Sequence, residues 1–416
     1  MLLAKLSKLS ILYDECKKDK IASTFYDLMN EFCMTDQKLR YEYYFEMLDN
    51  NINDPETFFI KMKNDNFFFI EYQYKCEEET EVSNFLDSTC ECGKKVNQHA
   101  SVIELYQLSS DFKKFISDMN KSALDYNGTS WGKNKLILEE LMSVYNLVPF
   151  LGSGLSKPLG FPSWPELVVQ FQEGCSETAL HGIQYFLNKK DYLECFNIII
   201  SDEENQNIKN VEQLKQKISR SFMSKKLDDD NNYKDVINLN LPLIITTNYD
   251  DNIDIAGRDR YSSILFKDIE DIRSVENDNV IIHLHGYAKN IAKSSMVVTK
   301  EDYEELYEDE KSMRKLQSLL GNKAILFIGY SLDDYYFMDE LIKICEANKG
   351  FSEYYAFMIN VSQTELKSYM PDYYNMIKII SIDISETDSG KFNEEVINRI
   401  RSYLRYINNN LYLMDI

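Results

Sequence analysis

The chain has 416 residues, with 46 Lys and Arg against 68 Asp and Glu, a net charge of −22. Its 44% apolar and 13% aromatic content suffices for substantial cores and excludes wholesale disorder, while 14 Gly and 7 Pro exclude collagen-like and Pro-rich classes. The acidity argues against a protein that grips nucleic acid by neutralising phosphates, so direct nucleic-acid binding is not expected.

At roughly 150 residues per domain, the length predicts two or three domains, or one large domain with an appendage. No apolar run reaches the roughly 18 residues of a membrane helix, so no membrane association is expected. In the opening stretch, Leu2, Leu3, Leu6, Leu9 and Leu12 recur at helical spacing while Lys5 and Lys8 interrupt any signal-peptide core. An amphipathic helix is predicted there. Eight cysteines spread along the chain do not form a secreted disulfide framework, so a reducing cytoplasm is the expected location.

Residues 1–130 read as a smaller, mainly helical domain. Segments near 2–20, 22–34 and 36–49 carry apolar residues at helical spacing, such as Phe25, Leu28, Met29 and Phe32. Asp54 and Pro55 suit the N-cap and first position of a further helix. Aromatic-rich residues 66–76 predict a strand, and residues 101–108 a second. Between them lie Cys76, Cys90, Cys92 and His99. Zinc demands a closed tetrahedron of soft ligands, usually from two CxxC pairs. Here Glu79 stands where the first pair would have its second Cys, and the second pair is CxC. The region loosely resembles a winged helix with a zinc-ribbon wing. Zinc on Cys76, Cys90, Cys92 and His99 is one reading; a degenerate ribbon with free thiols is the favoured one.

Residues 110–146 read as helical, interrupted by a turn at 127–132. The pattern then changes. Apolar runs at 147–152, 241–247, 280–285, 324–329, 354–360 and 377–383 alternate with helical stretches. This predicts an α/β domain over residues 131–416, with a doubly wound, Rossmann-like parallel sheet whose strands are buried on both faces. Such sheets present the C-terminal ends of their strands to ligands.

Polar residues follow four of those runs. After the first come Gly152, Ser153, Gly154 and Ser156, where glycines allow a tight turn close to a phosphate. Ser163 and Glu166 have capping-box spacing for a helix starting near Trp164. After the second run, Asn248 and Asp250 alternate with Tyr249 and share a side. After the third, His285 sits at the strand end before Gly286, whereas His283 has the position of a core residue. After the fourth, Gly329, Ser331 and Asp333 are placed to meet a ribose or phosphate. The acidic runs at 202–204 and 228–230 read as solvated loops, and Cys175, Cys195 and Cys345 as buried small residues.

In this order GSGLS, GFPSW, TTNYD, LHG and GYSL resemble the sirtuin set GAGxS, GxPDF, TQNxD, xHG and GTSL. The resemblance covers about 270 residues and implies a Rossmann-like domain that cleaves NAD+ at the nicotinamide–ribose bond. It implies that Gly152, Ser153, Gly154 and Ser156 line the dinucleotide phosphates. Asn248 would hold the ribose or a water at C1′, and Asp250 would contact the nicotinamide amide. His285 would bind the ribose hydroxyls and act as general base, and Gly329 and Ser331 would close the adenosine side. Two features depart from the protein deacylases: no cysteine module follows Gly286, and Ser163 replaces the family's Asp. With the stretch from Val297 to Tyr303, both resemble the sirtuin-like effectors of bacterial anti-phage defence.

That resemblance implies a NAD+ hydrolase releasing nicotinamide and ADP-ribose, regulated by homo-oligomerisation or a partner defence protein. The alternatives are a protein deacylase or ADP-ribosyltransferase, and a non-catalytic NAD- or nucleotide-sensing module. The missing cysteine module weighs against the former. Retention of both Asn248 and His285 weighs against the latter.

Overall fold

The computed structural model describes residues 38, 40–44, 54–64, 66–76, 79–110, 113–114, 131–144, 146–223, 231–258, 260–272, 275, 278–289, 296–332, 334–347, 353–369 and 375–411. The chain divides into two compact units, residues 1–126 with 408–416, and residues 127–407. The helices expected at 2–20 and 22–34 lie outside the described residues, as does most of 110–130; of the third, residues 41–44 are helical.

In the first unit, helix α1 (Pro55–Asn64) starts as expected: the Asp54 carboxylate accepts the Thr57 N–H at 3.1 Å. Such a cap contributes about 1 kcal/mol. Strands β1 (Phe68–Cys76), β2 (Glu79–Ser83) and β3 (Ile103–Leu108) form an antiparallel sheet in the order β2-β1-β3. Strand β2 was not foreseen, because its ETEVS sequence is polar and stands at a half-exposed edge. The core on α1 is aromatic: Phe59 meets Tyr106 edge-on at 4.9 Å and Phe68 at 5.0 Å.

The second unit opens with helix α2 (Trp131–Ser143), so the last two residues of the turn expected at 127–132 are helical instead. Its sheet has seven parallel strands: β4 (Leu147–Leu151), β5 (Leu243–Thr246), β6 (Ser262–Leu265), β7 (Val280–His283), β8 (Ala324–Ile328), β9 (Tyr354–Ile359) and β10 (Ile377–Ile382). Their order is β10-β9-β8-β4-β5-β7-β6. All six expected strands are present within a residue or two of their predicted ends. Edge strand β6 escaped notice because only its last two residues are apolar and its first two are exposed.

The uninterrupted apolar runs are explained by burial on both faces. Val148, Phe150, Ile245, Ile282, Ile325 and Phe327 share one core with helices α9 (Lys300–Tyr307), α10 (Glu310–Leu320) and α11 (Tyr335–Ala347). The residues between them, such as Ile244, Ile281 and Leu326, are equally buried. Each fully buried aliphatic side chain contributes roughly 1.5–3 kcal/mol. A separate core joins four of the helices that lie between β4 and β5 in the chain, α3 (Trp164–Phe171), α4 (Glu177–Asn188), α5 (Tyr192–Ser201) and α6 (Val211–Met223). Helix α3 is capped as expected, with the Glu166 carboxylate accepting the Ser163 N–H at 2.7 Å. Two short helices, α7 (Tyr233–Ile237) and α8 (Asn252–Gly257), flank β5.

Two minor expectations need correcting. Asp202 is not simply solvated: its carboxylate accepts the Ser176 N–H at 2.6 Å. Cys175 and Cys345 are half-buried, and only Cys195 of that trio is fully buried. Residues 228–230 lie outside the described residues. Among the described residues, no helix is long and apolar enough to cross a membrane.

Candidate active site

Because all seven strands run parallel, the segments after β4, β5, β7 and β8 emerge at one edge of the sheet. Strand β4 pairs with β5, the next strand in sequence, on one side and with the distant β8 on the other. That is the point where the winding reverses, and the expected place for a ligand. A cavity of about 910 Å³ opens there, lined by Ser153, Gly154, Ser156, Asn248, Asp250, His285, Gly329 and Ser331, among others. Its volume lies within the roughly 300–1,000 Å³ typical of ligand sites. Of the residues expected at the site, Gly152 alone does not line the cavity; Asp333 lies outside the described residues.

The glycines are required first by the protein itself. The Gly152 N–H donates to the Ile328 carbonyl at 3.0 Å and the Gly154 N–H to the Gly329 carbonyl at 2.8 Å. A Cβ on Gly152 would lie 2.5 Å from the Gly329 carbonyl oxygen, and one on Gly154 2.8 Å from the same atom. Gly329 itself has φ +66°, in the left-handed region. The turns after β4 and β8 are therefore pressed backbone to backbone, and the Gly154 amide is already committed.

Behind that turn lies a buried polar network. Asn248 Nδ2 donates to the Gly152 carbonyl (3.0 Å), Ser156 Oγ (3.1 Å) and the Tyr233 hydroxyl (3.1 Å). Ser156 Oγ donates to Asp250 Oδ2 at 2.5 Å, and the Tyr233 hydroxyl lies 3.4 Å from Asp250 Oδ1. Asn252 donates to Asp250 through its backbone N–H at 3.1 Å and through its side-chain amide. Burial pushes the Asp250 carboxyl up from its ordinary value, while the Ser156 and Asn252 hydrogen bonds pull it back. Asn248 Oδ1 is buried and accepts no hydrogen bond from a described residue. A buried acceptor left without a donor is costly, and in a cavity wall it marks where a ligand donor fits.

Opposite stands His285. Its Nε2 lies 2.7 Å from the Tyr307 hydroxyl and 3.7 Å from Asp334 Oδ2. Burial drives the imidazole down to about 3 and the Asp334 carboxyl up to about 6. At neutral pH His285 is uncharged, so the 3.7 Å approach is not an ion pair. Tyr303 packs edge-on against the ring at 5.2 Å. Both tyrosines belong to α9, which Thr299 caps by accepting the Asp302 N–H while the Asp302 carboxylate accepts the Thr299 N–H at 2.8 Å. His283 points elsewhere: its Nε2 meets Asp254 at 3.1 Å and its ring stacks on Tyr287. Two contributors, Tyr233 and Asp334, carried no sequence signal that singled them out.

In the ribbon of the first unit, Cys76, Cys90, Cys92 and His99 come together, with one ligand atom from each within 4.8 Å of the others.

Residues 242–377 match the family model of the SIR2-like domain. That span takes in Asn248, Asp250, His285, Gly329 and Ser331, whereas the turn after β4 precedes it. The chain is 28% identical to defense-associated sirtuin 2 of Bacillus subtilis over 195 residues, 45% of this chain and 18% of that protein. It is 28% identical to the NAD(+) hydrolase ThsA of Enterococcus faecium over 203 residues, 45% of this chain and 38% of that protein. It is 27% identical to ThsA of Bacillus cereus (strain MSX-D12) over 210 residues, 48% of this chain and 39% of that protein. The matched regions thus span less than two-fifths of each relative.

Proposed function

We propose that this chain, whose residues 242–377 match the SIR2-like domain, hydrolyses NAD+ to nicotinamide and ADP-ribose as a regulated anti-phage effector. One observation carries the reading. Asn248, whose buried Oδ1 has no donor among the described residues, and an uncharged His285 line the same cavity at the switch point of the sheet. Pure binding of a dinucleotide needs neither.

The reaction breaks the bond between C1′ of the ribose and the nicotinamide nitrogen. The bonding electron pair leaves with nicotinamide, and the oxygen of a water takes its place on C1′ while losing a proton. Asn248 Oδ1 is the acceptor that positions that water or a neighbouring ribose hydroxyl. His285 is neutral over the physiological range and so has a lone pair to offer that proton, although the burial that keeps it neutral also makes it a weak base. Asp250 has both oxygens engaged by Ser156, Asn252 and Tyr233. It therefore holds Ser156 in place beside Asn248, and with two lone pairs on each oxygen it keeps capacity to accept the nicotinamide amide as well. The apolar walls, among them Phe161, Trp164 and Phe222, exclude bulk water from the reacting centre.

The relatives' names support a role in defence through NAD+ loss. We assign assembly or activation, by self-association or a partner defence protein, to residues 1–130, with 131–416 as the NAD+-cleaving domain. The decisive experiment follows NAD+ and its products over time for the chain and for Asn248→Ala and His285→Ala, in buffer and in extract of phage-infected cells. Nicotinamide and ADP-ribose appearing with the unaltered chain alone is the expected result. Equal rates in all three, or transfer of ADP-ribose to protein, would overturn the reading.

A further inference from the structure

We propose that the ribbon of the first unit is a structural zinc site with a Cys3His ligand set, independent of the NAD+ reading. The ligands are Cys76, Cys90, Cys92 and His99, three thiolates and one imidazole.

The geometry is the first support. Zn–S bonds of about 2.3 Å and Zn–N bonds of about 2.0–2.1 Å place tetrahedral S···S pairs roughly 3.8 Å apart and S···N pairs roughly 3.6 Å apart. Cys76 Sγ and Cys90 Sγ are 3.5 Å apart, and Cys92 Sγ is 3.6 Å from His99 Nε2. The Cys76–Cys90 separation is also well beyond the roughly 2.05 Å of a disulfide.

The backbone is the second. Cys76 ends β1, and the segment from Thr89 to Lys95 closes on itself as an antiparallel bridge. Within it the Cys90 N–H donates to the Lys94 carbonyl and the Gly93 N–H to the Cys90 carbonyl, both at 2.8 Å. Gly93 takes φ +86°, which reverses the chain between Cys92 and Lys94. The space around it is open, so the conformation and not crowding calls for glycine there. A short helical turn, Val96–Gln98, then delivers His99, whose ring lies 4.8 Å from that of Tyr74.

The core is the third. The buried apolar cluster here consists of Tyr74, Cys76, Cys90 and Val96, so two of its members are themselves ligands. A ribbon with so little to bury needs a staple. Four protein donors close the tetrahedron and leave no position for substrate, the mark of a structural rather than catalytic zinc. Glu81 stands outside the set; its carboxylate accepts the Tyr74 hydroxyl at 2.8 Å and lies 3.3 Å from Cys90 Sγ. On binding, the three thiols release their protons and the neutral imidazole lends its lone pair, so the loaded site carries one net negative charge.

The test uses the full chain purified without chelator. Elemental analysis should find equimolar zinc, and exchange for cobalt should give the visible and near-ultraviolet bands of tetrahedral thiolate coordination. Cys92 is exposed, so Cys92→Ser should leave the rest of the chain folded while the ribbon loses its metal and loosens, whereas Cys175→Ser in the other unit should keep it. A folded, zinc-free chain that fails to take up cobalt would overturn the proposal. So would a Cys76–Cys90 disulfide found by mass spectrometry, or equimolar zinc retained by Cys92→Ser.

Discussion

Asn248 Nδ2 and the carbonyl oxygen of Gly152, 96 residues apart in the chain, are joined by a 3.0 Å hydrogen bond. This bond ties the segment leaving β5 to the turn leaving β4. It also fixes which way round the Asn248 amide sits, since only the nitrogen can donate to a carbonyl. Oδ1 is thereby the atom left without a donor among the described residues.

Asn248→Asp tests that orientation. The replacement sets a carboxylate oxygen against the Gly152 carbonyl and removes the donor to Ser156 and Tyr233. A loss of about 1–3 kcal/mol of stability is expected from the broken buried contacts. Cleavage of NAD+ should fall by a larger factor than in a variant of equal stability elsewhere. Urea unfolding and product analysis on the same preparation check both. An aspartate variant of unaltered stability would show that the network does not hold Asn248.

Gly152→Ala tests whether the turn after β4 is shaped by its neighbour. The new Cβ would fall 2.5 Å from the Gly329 carbonyl and 2.6 Å from Tyr330 Cα, both rigid backbone atoms. Overpacking of this kind costs about 1–3 kcal/mol. Gly152 does not line the cavity, so its alanine variant should be less stable with or without NAD+. A variant with unaltered thermal stability that only weakens NAD+ binding would instead restore a direct phosphate role.

These two cases also show what the residues reveal before folding. Strands β4, β5 and β7 to β10 were legible because burial leaves short runs dominated by apolar residues, even where Lys378 and Ser381 interrupt β10. Strands β2 and β6 were not, because ETEVS and SSIL are edge strands whose side chains are largely polar and exposed, unlike the apolar edge strand β10. Asn248, Asp250 and His285 were legible from their positions just past such runs. Tyr233 reaches Asn248 from a short helix 15 residues upstream, and that contact exists only once β5 and α7 are packed. Asp334 was passed over for its neighbour Asp333. The glycines were noticed for their backbone freedom, and the packing of the turn after β4 against the turn after β8 is a second demand on them that only the folded chain displays.

Ser156 and Tyr233 invite a double-mutant cycle. Their hydroxyls are 2.8 Å apart and buried, and each also contacts Asn248 and Asp250. Ser156→Ala and Tyr233→Phe should each destabilise by about 1 kcal/mol or more. Sharing one network, they should be non-additive by about 0.5–3 kcal/mol. Additive losses would mean that the two hydroxyls do not communicate. Tyr233→Phe should also lower kcat more than it raises KM, since its hydroxyl orients Asn248 rather than forming the cavity mouth.

The His285 and Asp334 pair predicts an unusual pH profile. His285 has a folded pKa of about 3 against an ordinary 6.5. Between those values the unfolded chain binds more protons, so this group's contribution is complete above pH 6.5 and is lost on acidification. Asp334 runs the other way, with a folded value of about 6 against 3.8. Here the native state binds more protons, so the contribution is complete below pH 3.8 and is lost as pH rises through 6. From about pH 4 to 6 the two slopes oppose each other. Removing either partner uncovers the other. His285→Gln should lose stability relative to the unaltered chain as pH is raised through this window. Asp334→Asn should gain relative stability over the same change. Chemical denaturation at half-unit pH steps gives both difference curves, and parallel profiles for all three proteins would refute the assignment of a neutral imidazole to the cavity wall.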